Sequence, residues 1–204
     1  MLNKYIYTLV FFVLLITSGC TSLQPEKIPP EKAPASSTKI LINKNLNFLL
    51  LPAFAIKKPL SLTQTVQIKY ADKQYDFIAQ IEIADHSFKM VGLTNMGIKL
   101  FSIISTENYY DFKKSPLLGD EINLTYLLAD LQLTYWPLNQ LNKQLQLNNA
   151  LIETRSQQRL ILHRDKPIID IQFSNTDHWN TNITFTHLQR NYSVTINTLE
   201  MADL

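Results

Sequence analysis

The sequence predicts an α+β fold in which a single curled antiparallel β-sheet of about ten strands, a half-barrel, wraps around two central helices. The first observation is a two-residue alternation of apolar and polar side chains that dominates from residue 61 onward. The second is that short turn sequences separate the alternating segments, which makes neighbouring strands antiparallel. The third is a central stretch with helical periodicity, which divides the strands into two groups of five. Because such a sheet has one apolar face, we expect the helices to cover it.

The strands follow from individual segments of alternating sequence. "LTQTVQIKY" (62–70) places Leu62, Val66 and Ile68 on one face, and "YDFIAQIEI" (75–83) repeats the pattern after the turn "ADKQ". The other segments of this kind are 87–93, 98–104, 108–113, 150–154, 158–164, 167–173, 182–188 and 191–198. The links "TNMG", "STEN", "RDKP" and "QRN" contain the residues that favour turns.

The central segment "DEINLTYLLADLQLTYW" predicts a helix that begins near Asp120 and ends at Pro137, and "LNQLNKQL" (138–145) predicts a second helix. On a helical wheel the first helix has two apolar faces, whereas a surface helix has one. One face contains Leu124, Leu127, Leu128, Leu131 and Tyr135, and the other contains Ile122, Tyr126, Ala129, Leu133 and Trp136.

A narrow polar strip between these two faces carries one carboxylate. Asp130 lies in this strip with Asn123 and Thr134. We expect Asp130 to be solvated, or to be the partner of Arg155 or Arg159. A catalytic role is the weaker interpretation, because no second carboxylate or histidine lies close to Asp130 in the sequence.

The N-terminal sequence predicts secretion and lipid attachment. An apolar run over residues 5–16 has the length of a signal peptide, and "TSGCTS" resembles the lipobox of bacterial lipoproteins, where a cysteine receives a diacylglycerol. We therefore assign 1–19 to the signal peptide, 20–45 to the lipidated Cys20 and a flexible Pro-rich tether, and 46–204 to the folded domain. Thr21 resembles the sorting pattern for the outer membrane, facing the periplasm, so the Cys20 lipid is the expected membrane contact. A buried structural cysteine is the alternative.

Charge and motifs argue against several other classes of protein. The net charge is +2 and the basic residues are scattered, which disfavours nucleic acid as a partner. "HRDKP" (163–167) echoes a kinase catalytic loop but lies in a hairpin turn, and "GLTNMGIK" (92–99) lacks the spacing of a P-loop. The four histidines show no i, i+4 ligand spacing, and there is no G-x-S-x-G serine. We expect no metal, no cofactor and no enzymatic activity.

Four stretches carry a resemblance to a known family: "LSLTQTVQIKYADKQYDFIAQIEI", "VGLTNMGIKLFSI", "YLLADLQLTYWP" and "YSVTINTLE". They resemble a family of small bacterial lipoproteins of unassigned function, often encoded beside aryl-polyene biosynthesis genes. That family is similar in layout to LolA and LolB, periplasmic carriers whose curved sheet wraps around helices and shelters acyl chains. The resemblance implies a LolA/LolB-like half-barrel that binds lipoprotein acyl chains or an aryl-polyene-type lipid, with a periplasmic carrier protein as a further partner.

A concavity that the helices leave unfilled would be the binding site for a hydrophobic lipid-like ligand. We expect it to be lined by Met90, Phe101, Tyr126, Leu133 and Trp136. Leu131 would then be on the helix face that packs on the sheet. The alternative is a fully packed core without a cavity, in which case the protein is a structural or docking lipoprotein of an envelope assembly.

The change Cys20→Ser tests the lipid anchor. The variant is expected to accumulate as an uncleaved precursor or as a soluble periplasmic form, because the serine hydroxyl does not replace the thiol that receives the diacylglycerol. Metabolic labelling with a fatty acid measures the outcome, and label that persists in Cys20→Ser would contradict the assignment of the lipobox.

Overall fold

The computed structural model describes residues 31–34, 38–53, 59–84 and 86–204. The predicted signal peptide and Cys20 lie outside these residues. Within them, neither helix has the length and apolar character that crossing a membrane requires.

The ten predicted strands are all present, and a further strand extends the same sheet. The strands are β1 Glu31–Pro34, β2 Lys39–Asn43, β3 Leu46–Leu49, β4 Leu60–Tyr70, β5 Lys73–Ala84, β6 Ser87–Leu93, β7 Lys99–Ser105, β8 Tyr109–Lys114, β9 Ala150–Arg155, β10 Gln158–His163, β11 Lys166–Phe173, β12 Asn182–His187 and β13 Tyr192–Asp203. Eleven of them form one antiparallel sheet in the order β1-β8-β7-β6-β5-β4-β13-β12-β11-β10-β9, so the predicted curled, unclosed sheet is confirmed.

The order of the strands determines where the helices lie. The group β4–β8 and the group β9–β13 are joined at the centre by pairing of β4 with β13, which runs from Leu60↔Asp203 to Tyr70↔Tyr192. Strands β8 and β9, which follow one another in the chain apart from the helices, therefore lie near opposite edges of the sheet. The intervening segment has to cross from one edge to the other, and it crosses the apolar, concave face.

That crossing segment contains the two helices, α1 Leu124–Tyr135 and α2 Leu138–Leu145. The second helix has the predicted bounds. The first begins later than predicted, because Asn123 and not Asp120 is its N-cap. The Asn123 side chain accepts a hydrogen bond from the N–H of Thr125 at 2.9 Å, which satisfies a donor that the first turn leaves free.

The C-terminus of α1 is closed by a proline and a buried cation. Trp136 is extended, with ψ of 156°, because the following Pro137 disfavours the helical conformation. The guanidinium of Arg159 then donates to the carbonyl oxygens of Leu133 and Trp136, at 3.2 and 3.1 Å. Burial lowers the pKa of Arg159 to about 10. The cation therefore has the sign that the negative end of the helix dipole favours, and Arg159 is not the partner of Asp130.

The folded structure begins before residue 46, which corrects the predicted boundary between tether and domain. Strands β2 and β3 form a separate antiparallel hairpin over residues 39–49, with Ile40, Ile42, Leu46 and Phe48 in the core. The alternation of apolar and polar residues in "KILIN" has the same period as in the main sheet, and the proline-rich sequence before it obscured that signal.

The segment that follows this hairpin is attached to α1 and its C-cap residue through two side chains, Gln132 and Trp136. The side-chain amide of Gln132 accepts from the N–H of Leu51 at 2.8 Å and donates to the carbonyl oxygen of Leu51 at 2.6 Å. Gln132 is fully buried. The indole Nε1 of Trp136 adds a hydrogen bond to the carbonyl oxygen of Pro52, at 3.3 Å. Residues 50–53 therefore cover the side of α1 that faces away from the sheet.

The second helix protects the edge strand β9. Leu141 and Leu145 of α2 are fully buried, and the side-chain oxygen of Asn142 accepts from the backbone N–H of Ile152 at 2.7 Å. On its other side, Gln144 donates to the carbonyl oxygen of Leu49. The helix therefore joins the edge of the sheet to the hairpin.

Replacing Gln132 by alanine tests whether this side chain fastens residues 50–53 to α1. The variant leaves a buried N–H and a buried C=O of Leu51 without a partner, so we expect the free energy of unfolding to fall by roughly 2–5 kcal/mol. Urea denaturation measures the loss. Gln146→Ala, at an exposed position just after α2, is the matched control and should change stability by less than about 0.5 kcal/mol. Equal effects of the two changes would contradict the proposed attachment.

Candidate functional site

A cavity of about 440 Å³ lies between the N-terminal half of α1 and the strands β4, β12 and β13. Its volume is within the range of roughly 300–1,000 Å³ that is usual for small-molecule sites. The lining residues are Ile68, Tyr70, Glu121, Ile122, Asn123, Tyr126, Leu127, Asp130, His187, Arg190 and Tyr192.

The cavity has an apolar floor and a polar rim. Ile68, Ile122 and Leu127 are buried, whereas Tyr70 and Asn123 are exposed at the mouth. A second cavity, of about 30 Å³, shares Leu127 and Asp130 with the first. It continues along α1 past Leu131 and Thr134 to the strand residues Gln64, Val66, Met90, Phe185, Val194 and Ile196. The two cavities together follow the gap between α1 and the sheet.

The polar strip of α1 faces this gap, which corrects the prediction that Asp130 is solvated or paired with Arg155 or Arg159. Asp130 is half-buried and lines both cavities. Burial raises the pKa of Asp130 to about 7, against a hydrogen bond from Tyr192 and the charge of Arg190, which lower it. The carboxylate therefore titrates near neutral pH.

Arg190 holds the hairpin and α1 together at the same cavity. Its guanidinium donates to the carbonyl oxygen of Leu41 in β2 and lies over the ring of Tyr126, 5.0 Å from the centroid. Among the residues that the structure describes, no ion pair joins Arg190 to Asp130. Two groups of opposite charge thus line one cavity without a direct salt bridge.

His187 contributes shape and no charge to the cavity. Its Nε2 lies 3.0 Å from the carbonyl oxygen of Ile42, and its Nδ1 accepts from the N–H of Gln189 at 3.4 Å. These two contacts require the neutral tautomer with the proton on Nε2. Burial lowers the pKa of His187, which also favours the neutral ring.

Glu121 at the mouth is engaged by residues of β5. It forms an ion pair with Lys73, and its Oε2 accepts from the hydroxyl of Tyr75 at 2.9 Å. The hydrogen bond from Lys73 is the largest of the effects that lower the pKa of Glu121 to about 2. The charge of Glu121 is therefore neutralised by Lys73 at the rim, whereas the charge of Asp130 lies inside the cavity without an ion-pair partner among the described residues.

Of the five residues that we expected to line a ligand site, two line the cavities and three do not. Tyr126 lines the large cavity and Met90 lines the small one. Phe101, Leu133 and Trp136 belong to the packed core, where Phe101 contacts Phe77 and Trp136 contacts Phe88 with ring centroids 5.2 and 5.7 Å apart. Residues 50–53 cover the back of α1, so the space for a ligand is on its sheet-facing side.

Sequence reasoning missed Arg190, Tyr192 and His187. The signal for them was the turn "QRN" at 189–191, where Asn191 has a positive φ of 48°. This tight turn returns the chain so that Tyr192 pairs with Tyr70 across β13 and β4, and the two rings are 6.4 Å apart. The residues between 121 and 130 that face this turn could not be identified without the sheet order.

Groups that could hold a metal are not assembled in the described part of the chain: no cluster of three or more His, Cys, Asp or Glu side chains occurs there.

The small cavity ends at Gln64, whose Nε2 donates to the hydroxyl of Tyr135 at 2.9 Å and to Thr198 at 3.0 Å. The chemistry available to the cavity is thus apolar contact, hydrogen bonding and one pair of opposite charges.

The titration of Asp130 predicts that the difference in the free energy of unfolding between wild type and Asp130→Asn depends on pH. The folded pKa of about 7 exceeds the ordinary value of 3.8, so the folded state binds the proton more tightly than the unfolded chain. The contribution of Asp130 to the free energy of unfolding then falls as the pH rises from about 4 to about 7. Asparagine does not titrate, so Asp130→Asn should gain stability relative to wild type over that interval.

Urea denaturation across this pH range measures the effect. Asp76→Asn is the matched control, because Asp76 lies exposed on the outer face, where it accepts from Gln67 and Gln74. A stability difference for Asp130→Asn that stays constant with pH would show that Asp130 is not the buried titrating group.

The chain was compared with curated protein sequences and with solved structures. No curated protein sequence matches the chain. Among solved structures, a domain from Vibrio parahaemolyticus assigned to an outer membrane lipoprotein-sorting protein is 9% identical, with a TM-score of 0.41, over 72% of this chain and 85% of that one. A LolA superfamily protein from Nitrosomonas europaea is 8% identical, with a TM-score of 0.37, over 72% of this chain and 87% of that one.

The family assignment comes from the sequence of the sheet and helices themselves. Residues 61–200 match the family described as "Protein of unknown function (DUF3261)". The match includes ten strands of the main sheet, both helices and every residue that lines the two cavities. The chain therefore belongs to the DUF3261 family.

Proposed function

We propose that this protein binds or transfers a hydrophobic, lipid-like ligand and holds it between α1 and the concave face of the sheet. The observation that carries this proposal is the 440 Å³ cavity with a buried apolar floor and a mouth at the N-terminus of α1. Apolar surface of this kind favours the alkyl or polyene part of an amphiphile, and the polar side chains that line the same cavity accommodate its polar end.

The proposal includes the place where the protein acts. Lipidation at Cys20 would anchor the chain in the outer membrane, facing the periplasm, where a periplasmic carrier protein could deliver or collect the ligand. The acyl chains of a lipoprotein or an aryl-polyene-type lipid are the candidate ligands, and both present a long apolar chain.

We also propose that the protein is not an enzyme. The cavity holds one free carboxylate, Asp130, because Glu121 is held by Lys73 and Tyr75 at the rim. His187 is neutral and both of its ring nitrogens have partners. Asp130 is thus the single unengaged acid or base among the residues that line the cavity. Acid–base or nucleophilic catalysis also needs a second group, such as a nucleophile or an acid of opposite role, so binding is the role that we propose.

Extraction of the purified protein tests the proposal. The soluble periplasmic form of Cys20→Ser, purified without detergent, lacks the lipid anchor and is not inserted in the membrane through the signal segment. Lipids recovered from it by organic solvent therefore come from the domain. Mass spectrometry should detect a stoichiometric amphiphile, and an apolar fluorescent dye should bind to the extracted protein. Absence of both would favour the alternative, a structural or docking lipoprotein whose outer surface binds a partner.

Filling the cavity should abolish this binding. Leu127 is buried and lines both cavities, so Leu127→Trp places a larger side chain in the space that the ligand would occupy. We expect a stability change of no more than about 3 kcal/mol and at least a tenfold weaker dye affinity. Leu117→Trp introduces the same side chain at a position that is 67% exposed and outside the cavities. Unchanged dye affinity in Leu127→Trp would place the dye elsewhere.

A further inference from the structure

The polar end of the large cavity presents two opposite charges that are not paired with each other. Asp130 projects from the middle of α1, and Arg190 from the turn between β12 and β13. Each is held in place by a different neighbour, Tyr192 for Asp130 and the carbonyl oxygen of Leu41 for Arg190. A ligand that enters this cavity therefore meets both charges.

The positive charge near Asp130 is too weak to offset the burial of its carboxylate. Tyr192 supplies one hydrogen bond to the carboxylate, and the charge of Arg190 acts only from beyond ion-pair distance. Burial outweighs both effects and raises the pKa of Asp130. An ammonium group placed beside the carboxylate would supply a charge-assisted hydrogen bond, and the nearby rings of Tyr70 and Tyr192 would favour the same cation.

The guanidinium of Arg190 has N–H donors that its contact with Leu41 does not use. A guanidinium carries five N–H donors in a planar fork, and one nitrogen of Arg190 is used by the carbonyl oxygen of Leu41. The guanidinium also lies over the ring of Tyr126, 5.0 Å from the centroid, so two neighbours restrict its position. A preoriented guanidinium is well suited to the oxygens of a phosphate.

The size of the cavity limits the apolar part of the ligand. A volume of about 440 Å³ is in the lower half of the usual range for ligand sites. The narrow continuation past Leu131 is only about 30 Å³. One chain fits this space better than two chains.

We infer, on the basis of the proposed function, that the cavity selects a single-chain amphiphile whose head group is a zwitterion, with its ammonium at Asp130 and its phosphate at Arg190. The selection arises because each half of the head group compensates one charge of the cavity. An anionic head group without the ammonium would leave Asp130 uncompensated, and a simple amine would leave the free donors of Arg190 unused.

The pH dependence of binding follows from the groups that surround Asp130. The titratable and charged groups that face it are Tyr70 on β4, Glu121 before α1, Tyr126 on α1, His187 on β12, Arg190 in the turn and Tyr192 on β13. Glu121 is paired with Lys73, His187 is neutral, and burial raises the pKa of Tyr192 well above its ordinary value. Asp130 is therefore the group whose ionisation changes the preference for an ammonium.

The test compares three single-chain probes of equal chain length: lysophosphatidylethanolamine, lysophosphatidylglycerol and an alkylamine. Binding to the Cys20→Ser chain is measured by displacement of an apolar dye, below the micelle concentration of each probe. We expect lysophosphatidylethanolamine to bind about tenfold more tightly than either other probe. Asp130→Asn should remove its advantage over lysophosphatidylglycerol, and Arg190→Gln its advantage over the amine, whereas Asp76→Asn should preserve both.

The Cys20→Ser chain without any change in the cavity provides a readout that does not depend on the folding of a cavity variant. Between about pH 6 and about pH 8 Asp130 ionises, so the preference for lysophosphatidylethanolamine over lysophosphatidylglycerol should increase with pH. Equal affinities for the two phospholipids, or a preference that survives Asp130→Asn or does not change with pH, would overturn the zwitterion assignment while dye binding still supported a lipid site. Failure of the dye and of all three probes to bind would overturn the proposed function itself.

Discussion

The paired hydrogen bonds between the amide of Gln132 and the backbone of Leu51 hold the interior of this protein together. The amide of Gln132 satisfies both the N–H and the C=O of Leu51, as a neighbouring strand would. Because this contact covers the back of α1, the helix has one remaining side, and that side faces the sheet. The hairpin β2–β3 is positioned by the same segment, and Arg190 and His187 then bind the carbonyl oxygens of its first strand.

The cavity results from a mismatch between the helix and the sheet that it crosses. A polar strip containing Asn123, Asp130 and Thr134 faces apolar strand residues, and these surfaces do not pack closely without leaving a carboxylate desolvated. The apolar stripes on both flanks of the strip are buried, so α1 is held firmly at a distance from the sheet. The gap is therefore a property of the native fold, and the charged side chains of Asp130 and Arg190 line it.

The parts of the fold that depend on local periodicity could be predicted from the sequence. All ten strands of the two meanders, the bounds of α2 and the stop at Pro137 follow from alternation, turn residues and proline chemistry. The orientation of α1 could not be predicted, because a polar strip between two apolar faces is compatible with solvent or with a buried gap. Gln132 is the residue that decides between them, and its partner Leu51 lies 81 positions away in the sequence. The site residues of the β12–β13 turn were missed for the same reason, since their proximity to α1 depends on the strand order.

The two edges of the sheet determine whether copies of this protein can join their sheets. At one edge, β8 is covered by β1, and β1 is itself a strand of only four residues that ends at a proline. The other edge strand, β9, donates the N–H of Ile152 to Asn142 of α2 and carries the exposed charges of Glu153 and Arg155. Unpaired strand edges are templates for β-addition between molecules, and charge or side-chain capping blocks that reaction. Both edges of this sheet are therefore protected, which disfavours the joining of sheets from neighbouring molecules into larger aggregates.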